Sequence, residues 1–191
     1  MSRKRKTIIT IIIVIVLGFL FMKLGDYHFT PSAVATANEY GLHYGPSEKV
    51  LLEYENKDGD VLVIGKVNER AISVIPAKRS FGILWRLMGG GVTGMMPMRY
   101  DEDHIVAGYD RKFELIYGIT DIEEAKKVEC SLEYKNNDME DFEVIYGLEM
   151  EVNEDGFFYL PKERVDEESW YYVIHMKVYD ENGDFIFEQD I

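Results

Sequence analysis

Val128-Glu129-Cys130-Ser131-Leu132-Glu133-Tyr134-Lys135 alternates apolar and polar residues one by one, and this period of two decides the fold class. On a strand, Val128, Cys130, Leu132 and Tyr134 share one face, while Glu129, Ser131, Glu133 and Lys135 share the other. Cys130 therefore points inward as a structural thiol, with no second cysteine in the chain to pair with. The alternation continues on both sides. Upstream, Phe113, Leu115, Tyr117 and Ile119 fall on one face. Downstream, Phe142, Val144 and Tyr146 repeat the pattern, then Leu148, Met150 and Val152 against Glu149 and Glu151. Residues 170–179 and 185–187 form a last pair around the turn former Asn182-Gly183. About six short strands, with one helical turn at 122–126, predict a mainly β fold in which 113–191 is an acidic β-sandwich, immunoglobulin-like in arrangement but lacking its disulfide.

Further upstream, 46–112 reads as an antiparallel β-meander. Residues 49–54 and 60–67 are strands joined through Lys57-Asp58-Gly59, and 70–75 is a third strand ended by Pro76. A Gly/Met-rich loop follows, from Ser80 to Met98, with Phe81, Leu84, Trp85 and Leu87 before Gly89-Gly90-Gly91. The glycines lack the spacing and the Lys-Ser or Lys-Thr pair of a phosphate loop. Its alternatives are core strand plus loop, or a contact with the bilayer or a membrane partner, flanked by Lys78, Arg79, Arg86 and Arg99.

The chain's start is of another kind. Arg3-Lys4-Arg5-Lys6 precedes residues 7–22, which carry no charge. Residues 1–6 thus read as a cytoplasmic basic tail and 7–24 as a transmembrane helix, placing the rest outside. The competing reading is a cleaved signal peptide, with Ala33-Val34-Ala35 or Ala35-Thr36-Ala37 as cleavage sites. Residues 25–45 instead read as a juxtamembrane helix and linker: Thr30 caps, Pro31 opens, Gly41 ends, and Val34, Ala37 and Tyr40 share a side. No cysteine follows the apolar run closely enough for lipoprotein attachment.

Composition narrows the classes further. At 191 residues, 47% hydrophobic and 13% aromatic, the chain has enough apolar surface to fold, which excludes wholesale disorder. Beyond Lys23 it holds 16 Lys and Arg against all 35 Asp and Glu, and residues 120–191 alone hold six against 22. So acidic a body excludes a basic nucleic-acid binder.

The order of these elements resembles that of uncharacterised single-pass membrane-anchored exported proteins of Gram-positive bacteria. The likeness is carried by the basic start and apolar span, Thr30-Pro31, and the aromatic-Trp-glycine stretch. Tyr117-Gly118-Ile119-Thr120-Asp121, Val128-Glu129 and Tyr179-Asp180-Glu181-Asn182-Gly183 complete it. It implies a location and a β-rich exterior, and carries no catalytic residue.

Four histidines, His28, His43, His104 and His175, stand without a nucleophile elbow or a His-Glu-x-x-His pair. His175 suits a hydrogen-bonded structural role. Asp101-Glu102-Asp103-His104 after Met95, Met96 and Met98 offers carboxylates, an imidazole and thioethers, which makes an exported metal or ion carrier the alternative function. Asp58-Gly59-Asp60 and 180–184 have calcium-loop residues but read as hairpin turns. The expectation is a membrane-anchored extracytoplasmic binding or structural envelope module without catalysis, cofactor or metal site. Its partners would be the bilayer, through the N-terminal helix, and an envelope protein, with no nucleic acid.

Overall fold

The computed structural model describes residues 3–42, 44–89, 93–135, 142–164 and 169–191. His43 and the pair Gly90-Gly91 lie outside them. Among the described residues the protein is mainly β, 49% strand against 18% helix, and its sheets are antiparallel. The elements are α1 (Arg3–Leu24), α2 (Pro31–Gly41), β1 (Lys49–Glu55), β2 (Val61–Asn68), β3 (Ala71–Ser80), β4 (Leu84–Leu87), β5 (Gly94–Pro97) and β6 (Ile105–Asp110). Then come β7 (Leu115–Thr120), β8 (Lys127–Lys135), β9 (Glu143–Glu151), β10 (Phe157–Pro161), β11 (Trp170–Tyr179) and β12 (Phe185–Asp190).

α1 is long and apolar enough to cross a membrane, with 20 residues from Arg5 to Leu24 at a mean hydropathy of 2.7 and none of that stretch buried in the protein. A signal sequence meets the same description. The helix is stopped by its own backbone: Asp26 takes a left-handed φ of 52°, and Tyr27 N–H donates to the Met22 carbonyl at 2.9 Å. This is a Schellman-type cap with aspartate where glycine is usual.

α2 begins as expected, with Thr30 Oγ1 accepting from Ala33 N–H at 3.1 Å and Pro31 in the first turn. Its inner face is not the expected one, however. Val34, Ala35 and Glu39 are buried while Tyr40 is exposed, because the i, i+1, i+5 set is what meets the sheet. Glu39 is held by Ser47, whose N–H and hydroxyl both donate to its carboxylate.

Three sheets follow in layers. The first has the order β1-β2-β3-β4, with β5 also pairing β3. The second is β10-β7-β6 and the third β12-β11-β8-β9. Val61, Val63, Ile75, Ala77 and Trp85 of the first sheet pack on Val34 and Ala35 of α2. Its other face, with Leu62, Ile64, Ile72 and Val74, packs on Phe113, Leu115, Tyr117 and Ile119 of the second. Ile105, Ala107, Ile116 and Phe158 then turn from the second sheet to Val128, Cys130, Leu132, Met176 and Val178 of the third. Every residue of β7 is consequently buried. Each fully buried large side chain contributes about 1.5–3 kcal/mol over leaving it in water. Gly118 marks a close approach, since a Cβ there would collide with the Val106 carbonyl oxygen and the Phe158 ring.

Two expectations need correction. Pro76 does not end β3, which continues to Ser80. The Pro76 carbonyl accepts from Met88 N–H at 2.9 Å, so the donor that proline lacks would have pointed to the end of β4 rather than to β2. In β9 the inward residue is Ile145, whereas Tyr146 and Phe142 are exposed. The β8–β9 register shifts between Cys130↔Leu148 and Leu132↔Ile145, and Gly147 sits at φ 73°: one extra residue in β9 flips the alternation.

Candidate functional site

The β6–β7 hairpin turns through Asp110-Arg111-Lys112-Phe113-Glu114, and its side chains close it. Asp110 Oδ1 accepts from Lys112 N–H at 2.9 Å and Phe113 N–H at 3.0 Å. Burial pushes the Asp110 carboxyl above its ordinary value, with those two donors and the Lys112 charge pulling the other way. Glu114 holds φ 51°, and burial is outweighed by Arg164 and Lys57, which leave its carboxyl below the usual range. Lys112 Nζ reaches Asp60 Oδ2 at 2.7 Å and Met88 Sδ at 3.1 Å.

Between this hairpin and β11 lies a groove of about 870 Å³. Its walls include Tyr109, Trp170, Tyr171 and Tyr172, with Arg111 and Arg164 at the rim. Tyr109 and Tyr171 place their rings 5.1 Å apart, Tyr134 stacks on Tyr171 at 5.5 Å, and the Arg111 guanidinium lies 4.4 Å over Trp170. Tyr109 donates its hydroxyl to the Lys162 carbonyl at 3.1 Å, and burial followed by the Glu114 charge raises its phenol. A trough with aromatic walls binds by apolar contact and stacking.

The residues singled out in the sequence are dispersed. His28 Nε2 meets Asp26 at 3.2 Å, His104 Nδ1 meets Asp121 Oδ1 at 2.8 Å, and His175 Nδ1 meets Asp190 Oδ1 at 2.8 Å. The His104–Asp121 pair is extended by Arg70, whose Nη1 contacts Asp121 at 2.8 Å and whose Nη2 donates to the carbonyls of Tyr100 and Asp103. That network joins residues far apart in the chain, and no spacing announces it. Asp103 is spent on the N–H groups of Arg99 and Tyr100. Met98 is buried and Met96 packs beside it, both between the first two sheets, away from a shared site with Asp101 and Glu102. Among the described residues no group of three or more His, Cys, Asp and Glu converges as a metal site.

The calcium-like stretches are turns of one design. Asn56 Oδ1 accepts from the N–H groups of Asp58 and Asp60, and Asp180 Oδ1 from those of Asn182 and Asp184. Gly59 and Gly183 take φ 77° and 81°. Asn153 repeats this on Asp155 and Phe157, with Gly156 at 76°. The shared Asx-x-Asx-Gly spacing was the signal for this third turn. Cys130 is fully buried and its thiol is pushed up to about 12, first by burial, then by Glu129. Comparison with family models, curated proteins and solved structures finds no match to the chain.

Proposed function

We propose that this chain is a membrane-anchored extracytoplasmic binding module that presents its aromatic groove to an envelope protein partner. In this reading α1 spans the cell membrane with the basic tail in the cytoplasm and the body outside. The strands β6 to β12 are read as an immunoglobulin-like sandwich, with β10-β7-β6 as one sheet and β12-β11-β8-β9 as the other; the two sheet orders support that reading.

The observation that carries the reading is the groove itself, an 870 Å³ aromatic trough in a chain whose apolar helix has no buried residue along its span. Large concave apolar surfaces on soluble faces mark binding sites. An extended segment with apolar side chains fits its stacked walls. The acidic face of 120–191 keeps the body soluble and away from anionic surfaces.

The test is photo-crosslinking in intact cells from an unnatural aryl ketone residue at Tyr172, in the groove wall, and separately at Tyr146, exposed on β9. A discrete adduct from position 172 alone, lost when Trp170→Ala is added, is the expected result. Equal adducts from both positions, or none from 172, would overturn the proposal.

A further inference from the structure

The β3–β4 hairpin ends in Phe81-Gly82-Ile83, a tight turn with left-handed φ at both Phe81 and Gly82 that carries two large apolar side chains outward. Phe81 is 72% exposed, as is Ile83, and Phe81 also holds a left-handed φ of 52°, a conformation bulky L residues avoid. Backbone strain of this kind costs about 1–3 kcal/mol and persists where something else over-determines it. What surrounds the tip is α1. The Phe81 ring lies 5.9 Å from Phe21 in the last turn of the helix and 5.6 Å from Tyr27 just beyond it, and those two stack at 5.2 Å.

The link is short and fixed. The Asp26 cap ends α1, and His28 then exchanges both backbone hydrogen bonds with Trp85 of β4, each 2.7 Å. The tip is therefore level with the last turn of α1. Lys78 and Arg86 face each other across the hairpin, and Arg79 lies over the buried Trp85 ring at 4.8 Å. With Lys23 they form a cationic end on an otherwise acidic body, while Asp26 is taken up by His28.

From this placement we infer that Phe81-Gly82-Ile83 is a second membrane contact, seated in the headgroup and upper acyl region of the leaflet where α1 emerges. The inference rests on α1 spanning the bilayer. Phe81 and Ile83 bury apolar surface there, and Lys78, Arg79, Arg86 and Lys23 meet lipid phosphates. Sheet one is thus clamped to the membrane at two points, so the body stands at a fixed angle rather than swinging on a tether.

The test uses the full chain in nanodiscs of phosphatidylcholine and phosphatidylglycerol with brominated acyl chains. An environment-sensitive fluorophore is attached at Val14→Cys, Ile83→Cys or Tyr146→Cys, Cys130 being buried. Positions 14 and 83 should lose most of their emission to the brominated lipid, and position 146 none. Adding Lys78→Glu and Arg86→Glu should restore emission at 83 without affecting 14. Quenching at 14 but not at 83 overturns the hairpin contact and leaves the span intact. No quenching at 14 overturns the span, and the hairpin contact with it.

Discussion

Two hairpins of this molecule each hold a non-glycine residue at a left-handed φ, Phe81 at 52° between β3 and β4, and Glu114 at 51° between β6 and β7. They resolve the strain by opposite chemistry. At Glu114 the carboxylate receives Arg164 and Lys57, its carbonyl accepts from Lys162 N–H at 2.7 Å, and Asp110 binds two further N–H groups of the turn. At Phe81 the neighbours are the rings of Phe21 and Tyr27. A turn satisfied by charge and hydrogen bonds suits water, and one satisfied by rings suits an apolar boundary. β4 links these settings, since it follows the Phe81 tip and leads into Met88 of the groove wall.

The comparison can be broken most severely behind the polar hairpin. Gly118→Val forces a side chain into the Val106 carbonyl and Phe158, and urea unfolding of the detergent-solubilised chain should show a loss of about 3 kcal/mol. Wild-type stability in this variant would mean that β7 does not sit between two packed faces. Next, Asp110→Ala leaves the N–H groups of Lys112 and Phe113 without their acceptor, at about 1–3 kcal/mol, whereas Asp110→Asn keeps an oxygen there and should cost less.

Acid titration separates the two carboxyls of that hairpin by sign. Glu114 is held below its ordinary 4.5, so its contribution is present above that pH and fades as pH falls through the lowered value. Asp110 is held above its ordinary 3.8, so the folded state gains a proton first and acidification favours it. Unfolding midpoints measured from pH 6 down to pH 3 should therefore fall less steeply in Glu114→Gln and more steeply in Asp110→Asn. The same direction of change in both variants would contradict the geometry of the turn.

Smaller effects come from the apolar hairpin and its helix. Phe81→Gly removes the φ penalty but also the ring contacts, so stability in detergent should change by less than about 1 kcal/mol, in contrast to Asp110→Ala. Asp26→Gly, at the left-handed end of α1, relieves a conformational penalty of about 1–2 kcal/mol but loses the His28 contact, so the thermal midpoint should rise slightly.

What the sequence revealed depended on period. Val128, Cys130, Leu132 and Tyr134 do share the inner face, and Phe113, Leu115, Tyr117 and Ile119 do point to one core. Where an extra residue enters at Gly147 the period breaks, so the alternation of Phe142, Val144 and Tyr146 does not mark the inner face and Ile145 packs on the core instead. A single bulge is invisible to alternation but decisive for register. Pro76 misled in a related way, because which side a missing donor faces depends on strand order rather than on the residue. The groove and the Arg70–Asp121–His104 network were not legible, since both are made by sheets meeting and leave no spacing in the chain. The aromatic residues of 80–98 stand out in the sequence, but only the fold divides buried Trp85 from exposed Phe81.

The reading as a whole stands on which side of the membrane the body lies. Tyr146→Cys puts a reactive thiol on exposed β9, while Cys130, buried and pushed up to about 12, stays silent. A membrane-impermeant maleimide added to intact cells should label the Tyr146→Cys protein at the level reached after lysis. Labelling that appears only once the cells are opened would put the body inside and contradict the account.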